Sequence, residues 1–301
     1  MKRLAVRLAV RFAVLLLAPL IAASLSACAT RQQPDPPTCP DYAAIAEMTR
    51  AYAALEPLPN PSDALSLAGA VCGRDKFVRL LGDRYGKVVG YKAALTNPAV
   101  QTRFNYPAPV RGTLLDAMIL ADGAEVPAKF GALPVFEADL VVVVRDASIH
   151  EARTPEQALA SIASIRPFIE LPDLIVKDPS RINGPTITLI NAGARLGVLG
   201  APIAVGNASA MSAALRDMTV RVIDGNGKEL DSGKGSAILD HPLNAVIWLA
   251  DDLKRSGITL KPGDLLSLGS FSRLLPPQAG QTVRVVYEGL PGNPSVSVRF
   301  R

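Results

Sequence analysis

Histidine and cysteine are scarce: the chain has two histidines, His150 and His241, and three cysteines in 301 residues. Nothing clusters them, so a Cys/His metal centre and a dense disulfide framework are both excluded. Strong charge of one sign is missing too. The net charge is +5, but Lys2, Arg3, Arg7 and Arg11 lie in the first 27 residues, which contain no acid. Without them the balance is about +1 and the remaining Lys and Arg are scattered, which leaves no basis for a nucleic-acid partner. No internal repeat is visible, and beyond residue 27 no apolar run reaches membrane-spanning length.

What is present begins with a targeting segment. Residues 1–27 combine a basic start, an apolar core from Phe12 to Ile21 and small residues after it, the pattern of a secretory signal. The segment ends in Leu25-Ser26-Ala27-Cys28, which resembles the bacterial lipobox, where the Cys becomes the lipidated first residue. Ala29 resembles the sorting residue of outer-membrane lipoproteins. The expectation is a cell-envelope lipoprotein at the periplasmic face of the outer membrane, touching the bilayer only through lipid on Cys28. Residues 28–40, with four prolines from Arg31 to Pro40, read as a tether. Cys39 and Cys72 are either a disulfide that ties this arm to the first helices or two unrelated thiols.

Residues 41–84 read as a helical segment and 85–301 as a β-rich domain. Ile45, Met48, Tyr52 and Leu55 share one helical face, and a second helix is expected from Ser62, broken near Gly73. The chemistry concentrates in Val135–Val144. This apolar strand carries Glu137 and Asp139 two residues apart, so both acids share a face. Buried together, one of them would protonate unless a cation or several donors compensate both; at a sheet margin they would simply reach water. Glu170, in the apolar run Ile165–Leu171, is either a third ligand or an edge-strand acid beside Pro167 and Pro172. Lys92 lies in the first core strand, among Gly, Ala and Leu neighbours. It is either a proton carrier or a lysine snorkelling from a strand end. Ser232-Gly233-Lys234-Gly235-Ser236 lacks the Walker spacing for a phosphate loop. His241 precedes an amphipathic helix and reads as structural.

Several stretches together resemble the hydratase and decarboxylase branch of the fumarylacetoacetate hydrolase superfamily. Gly90-Tyr91-Lys92-Ala93-Ala94-Leu95-Thr96-Asn97-Pro98-Ala99-Val100-Gln101 is similar to its G-x-K-x-x-L-T-x-P-x-V-Q, and Gly112-Thr113-Leu114 to its G-T-L. Phe136-Glu137-Ala138-Asp139 resembles its I-E-A-E metal stretch, with Glu170 at the third carboxylate. Ser232-Gly233-Lys234-Gly235 and His241-Pro242-Leu243-Asn244-Ala245 match S-G-x-G and H-P-L-N-A, across roughly residues 74–300 in all.

The resemblance implies an α+β fold, a mixed β-sandwich roll with flanking helices that assembles into homo-oligomers. It implies Mg²⁺ or Mn²⁺ on Glu137, Asp139 and Glu170, with Lys92 as acid or base, acting on a small oxo acid. The implied activity is a hydratase-like lyase for a 2-oxo or 2-hydroxydienoic acid such as 2-hydroxypenta-2,4-dienoate. The alternatives are an altered hydrolase, tautomerase or decarboxylase of the same superfamily, or a non-catalytic envelope binding or scaffold module. Three departures separate these readings: Val110 stands where the hydratases carry Asp, and Ile190 and Gly193 stand where their D-N-A-S segment carries Asp and Ser. The Glu-His dyad of the carbon–carbon bond hydrolases is not recognisable. For the anchor, Cys28→Ser is expected to move the protein from the membrane to the soluble fraction of lysed cells; a variant that stays in the membrane fraction rules out anchorage through this thiol.

Overall fold

The computed structural model describes residues 35–301. The signal, Cys28 and the first part of the tether lie outside the described residues. Seven α-helices occur among the described residues: α1 (Tyr42–Ala54), α2 (Leu67–Tyr85), α3 (Pro98–Arg103), α4 (Pro155–Ala160), α5 (Gly184–Leu189), α6 (Ala208–Asp217) and α7 (Pro242–Arg255). The strands are β1 (Val88–Ala94), β2 (Val110–Leu115), β3 (Ile119–Ala121), β4 (Ala124–Val126), β5 (Glu137–Val144) and β6 (Ile162–Leu171). They continue as β7 (Leu196–Leu199), β8 (Thr219–Asp224), β9 (Glu229–Lys234), β10 (Leu265–Ser267), β11 (Thr282–Glu288) and β12 (Ser295–Phe300).

Local signals account for the helix ends. Asp41 caps α1 by accepting from Ala44 N at 2.8 Å, and Ile45, Met48 and Tyr52 form its buried stripe. Leu55, expected on that stripe, is instead the exposed left-handed residue that ends the helix. The second helix departs from expectation: α2 starts at Leu67, capped by Ser66, and runs through Gly73 without a break. Packing explains why. A Cβ at Gly73 would lie 2.5 Å from Leu189 Cδ1, so glycine lets α2 press against α5, and this contact offsets glycine's helix penalty of about 1 kcal/mol. Cys39 and Cys72 are disulfide-bonded, with Cα atoms 5.6 Å apart, which pins the arm before α1 to α2.

The strands form a mixed seven-stranded sheet in the order β2-β1-β10-β5-β6-β7-β3 and a five-stranded sheet in the order β4-β12-β11-β8-β9. Leu140, Val142 and Ile169 of the first sheet and Val222, Val285 and Val298 of the second belong to one core cluster, the facing layers of a sandwich. On α7, Leu243, Val246 and Leu253 join the same cluster. A second core lies where α1 and α2 meet Leu95, Leu115, Ile187 and Ile190. The fold is therefore α+β, with β5 covered on both faces and buried along nearly its whole length. Ser232-Gly233-Lys234-Gly235 closes β9 with glycines whose added Cβ atoms would collide with the backbone oxygens of Phe271 and Leu215; they serve close backbone approach.

A buried ion pair joins the helical layer to the sheet. The Arg195 guanidinium donates to Tyr52 O at 3.0 Å, to Asp173 Oδ2 at 3.3 Å and to Phe130 O, and lies 4.2 Å from the Tyr52 ring centroid. Asp173 also accepts from Ala132 N at 3.0 Å, Leu133 N at 2.8 Å and Ile175 N at 3.2 Å. Removing one partner of such a pair leaves a buried charge uncompensated. Asp173→Ala is expected to lower unfolding stability by about 3–5 kcal/mol in denaturant titration; a loss below about 1 kcal/mol, the surface-pair range, refutes this role.

Candidate active site

The antiparallel ladder between β5 and β6 pairs Glu137 directly with Glu170, and Asp139 with Phe168. Directly opposed residues share a face, so two carboxyl groups stand side by side with a third two positions along. Lys92 reaches them from β1, whose register through β10 sets Lys92 beside Ser267 and Ser267 beside Val141. Its ammonium donates to Glu170 Oε1 and, at 2.9 Å, to Ala192 O. Lys92, Asp139 and Glu170 are 2 %, 0 % and 1 % exposed, so neither the snorkelling lysine nor the water-facing acids describe this structure.

The three acids have different surroundings. Asp139 Oδ2 accepts from Ser267 Oγ at 2.5 Å, while Oδ1 accepts from the backbone N–H groups of Leu140, Leu268 and Gly269 at 2.5, 3.1 and 3.0 Å. Burial still pushes its pKa up to about 7, reinforced by the charge of Glu170 and opposed by the Ser267 and Leu140 hydrogen bonds. Glu137 is pushed well above the carboxylate range, first by burial and then by Glu170, with the Lys92 charge acting against both. Among the described residues no donor reaches Glu170 Oε2, a buried acceptor, unless a protonated Glu137 supplies one.

The lysine's other acceptor is an unusual piece of backbone. Asn191, Ala192 and Gly193 all have left-handed φ, at 56°, 54° and 69°. Asn191 holds this turn to β2, accepting from Thr113 N at 2.8 Å and donating to Thr113 O at 2.9 Å. Opposite, Gly112 leaves room for the lysine, since a Cβ there would lie 2.8 Å from Lys92 Cγ. Asn191, Ser267 and the N–H groups of Leu268 and Gly269 were not foreseen as parts of the site. Asn-Ala-Gly carries a readable hint, because Asn and Gly tolerate left-handed backbone; the β10 donors leave no sequence signal.

Lys92 and Glu137 line a cleft whose wall also includes Leu95, Thr96, Phe104 and Leu274. Val110, Ile190 and Gly193 do not line it: Val110 borders a separate hollow beside Arg111, and Ile190 faces one under α1. Both histidines are structural. His150 Nδ1 pairs with Ala250 O at 2.9 Å and its Nε2 accepts from Leu260 N at 2.9 Å; His241 Nδ1 accepts from Leu243 N at 3.1 Å as the α7 cap.

The donor chemistry fits a hard divalent cation. Three buried carboxyl groups meet a single ammonium, and an acceptor oxygen is left over on Glu170. Among the described residues, however, the ligand atoms of these three acids do not all lie within 4.8 Å of one another. The set that does, Asp35, Cys39 and Cys72, includes both halves of the disulfide.

A two-sheet roll with acids and a lysine converging on its central strands is the architecture of a known enzyme class. The family model "Fumarylacetoacetate (FAA) hydrolase C-terminal" matches residues 91–293, and the chain belongs to this family. It is 29 % identical over 246 residues to 2-hydroxyhexa-2,4-dienoate hydratase of Comamonas testosteroni, covering 81 % of this chain and 91 % of the relative. It is 31 % identical to 2-keto-4-pentenoate hydratase 1 of Dechloromonas aromatica, covering 69 % of this chain and 77 % of the relative. Among solved structures, 4-oxalocrotonate decarboxylase from Pseudomonas putida G7, complexed with magnesium and adipate, superposes with a TM-score of 0.74 at 24 % identity, over 86 % of this chain and 97 % of that one.

The raised carboxyl groups set a pH dependence. An acid with a raised folded-state pKa contributes stability at low pH that is lost as pH climbs through that pKa, so the contribution of Asp139 in metal-free protein is expected to be lost from about pH 4 to about pH 7, with Glu137 acting in the same direction. A divalent ion requires the same groups ionised. The rise in melting temperature on replacing chelator with Mg²⁺ or Mn²⁺ should therefore be small near pH 5 and larger near pH 8; a pH-independent difference refutes binding at these acids.

Proposed function

We propose that this protein is a divalent-metal-dependent lyase, hydratase-like, acting on a small 2-oxo or 2-hydroxydienoic acid such as 2-hydroxypenta-2,4-dienoate. The observation that carries the reading is the buried contact between the Lys92 ammonium and Glu170, beside Glu137 at the cleft wall. The hydratase relatives support it.

Glu137, Asp139 and Glu170 would hold the ion, which when bound supplies Lewis-acid polarisation of an oxo-acid head group. Lys92 holds a proton between a carboxylate and a backbone carbonyl, at the wall of the cleft. From there it can deliver or accept the proton that interconverts the dienol and keto forms of the substrate. The hydrogen bonds from Ser267 of β10 and from the two residues after it keep Asp139 oriented through such a transfer, and the apolar wall keeps bulk water away from the charged groups. For a hydratase, water then adds to the conjugated acid.

A second reading within the same family is a decarboxylase, tautomerase or altered hydrolase. It is favoured by the apolar residue at Val110 and Ile190 and by Gly193, positions where hydratases carry polar groups. The same enolate would then form by loss of carbon dioxide or by proton shift alone. Homo-oligomeric assembly and anchorage at the periplasmic face of the outer membrane through Cys28 belong to the proposal on sequence grounds.

The test is Mg²⁺- or Mn²⁺-dependent ultraviolet loss of 2-hydroxypenta-2,4-dienoate, run beside carbon dioxide release from 4-oxalocrotonate. Lys92→Ala is expected to lower kcat by about 10²–10⁴-fold with a smaller change in KM. No turnover of either compound with any divalent ion, together with calorimetric binding of an oxo acid that survives Lys92→Ala, would instead support a binding module.

A further inference from the structure

Two arginines are buried where α2 meets β2: Arg74 is 2 % exposed and Arg111 is 5 % exposed. A guanidinium cannot shed its charge, so burying one calls for acceptors and a counter-charge. Arg195 meets that demand with Asp173, a carboxylate buried alongside it. Arg74 and Arg111 are served less fully. Arg74 Nε and Nη2 donate to Asp75 Oδ1 at 3.0 and 2.8 Å, but the Asp75 side chain is 62 % exposed and screened by water. Arg111 Nε donates to Asp252 Oδ2 at 2.6 Å, while Asp252 Oδ1 lies 3.7 Å from Arg255 Nη2. Three guanidiniums thus share two carboxylates.

Donors are left over as well. The remaining bonds run from Arg74 Nη1 to Arg111 O at 3.3 Å and from Arg111 Nη2 to Ser256 Oγ at 3.1 Å. Together the two buried groups use half of the N–H donors they carry. Among the described residues no acceptor meets Arg111 Nη1. Nor is this nitrogen sealed: the unpartnered side-chain atoms that are fully enclosed lie on Thr96, Glu170 and Thr188, so Nη1 keeps accessible surface. Burial, and next the charge of Arg111, hold the Arg74 pKa below its ordinary value against the pull of Asp75. Positive charge here exceeds what the protein supplies to balance it.

Arg74 and Arg111 both line a hollow of about 100 Å³ bounded by α2, β2, α5 and α7, with Tyr106, Val110 and Trp248 also in its wall. None of its lining residues lines the cleft beside Lys92 and Glu137. Its volume equals that of a few waters at about 30 Å³ each, which admits a small oxyanion and excludes a nucleotide or a peptide.

We propose that this hollow is a binding site for a small oxyanion, a phosphate or a carboxylate group, held by the Arg111 and Arg74 guanidiniums. The site is distinct from the buried acids and stands independently of any reaction there. Planar guanidinium forks match the oxygens of such groups, and the bound anion supplies the missing counter-charge. Asp252 shares the wall and opposes an anion, but its charge is already divided between Arg111 and Arg255. A ligand that binds only the folded junction of α2, β2 and α7 also stabilises the fold.

Trp248 is the single tryptophan of the chain and lines the hollow, so its fluorescence reports on this place rather than on the cleft. The experiment titrates the purified, metal-free protein with inorganic phosphate and, separately, with acetate, at an ionic strength held constant with chloride. The expected result is a saturable change for at least one anion, half-complete on the order of 1 mM or below, with a melting temperature that rises over the same concentrations. Tighter binding of phosphate identifies a phosphoryl group as the ligand, and tighter binding of acetate a carboxylate. Arg111→Lys keeps the charge and removes the fork, and it should weaken binding by about tenfold; Arg74→Lys applies the same test from α2. Melts of the anion-free variants check that they fold. No saturable change with either anion in wild-type protein overturns the site, as does a change that chloride alone reproduces. Affinity unaltered in both folded variants overturns the assignment to these arginines.

Discussion

The constraint on which the site depends is the concentration of negative charge in the interior of a sheet. Glu137, Asp139 and Glu170 occupy adjoining positions on β5 and β6, and one ammonium, Lys92, contacts Glu170 directly and acts on the other two through its charge alone. A protein of ordinary stability cannot keep three ionised carboxylates there, because each uncompensated buried charge costs several kcal/mol. The structure answers in two ways. Asp139 receives four hydrogen bonds that favour its charged form, whereas Glu137 is driven toward the protonated form. On the proposed reading, a bound cation would take the place of those protons.

Much of the surrounding backbone serves this arrangement. β10 is three residues long, yet Ser267 at its end and the next two N–H groups all point at Asp139. The left-handed turn at 191–193 presents Ala192 O to the lysine and is locked to β2 through the Asn191 amide. Such backbone is unfavourable for Ala192, which has no special tolerance of positive φ; the two hydrogen bonds of Asn191 and the flanking Gly193 are what maintain it. The strain is held where the Ala192 carbonyl meets the buried Lys92 ammonium.

Legibility in the sequence followed the range of the interactions. β5 was readable because its apolar run and paired acids are local, and the capped helices were readable from spacing and punctuation. Gly73 misled because its reason is a contact with Leu189, more than a hundred positions away, and local propensity carries no trace of that. The partners of Asp139 were hidden for the same reason: Ser267 and Gly269 are unremarkable residues until the β5–β10 pairing brings them to the carboxylate.

The altered positions separate two functions that sequence motifs bundle together. Ile190 and Gly193 flank the turn that serves Lys92, but Ile190 packs into the second core with α1 and α2, and Val110 lies in the same apolar cluster. The apolar side chains of Val110 and Ile190 therefore pack the junction between the helical layer and the sheet while the carbonyl of Ala192 stays on the lysine. Charge compensation at Glu137, Asp139 and Glu170 does not depend on what these positions carry. Steering of a water molecule would depend on it, because apolar side chains supply no donor or acceptor. On the proposed reading, proton transfer at Lys92 and steering of water onto the conjugated acid would rest on different residues, and the positions in question here, Val110, Ile190 and Gly193, offer the second no polar side chain.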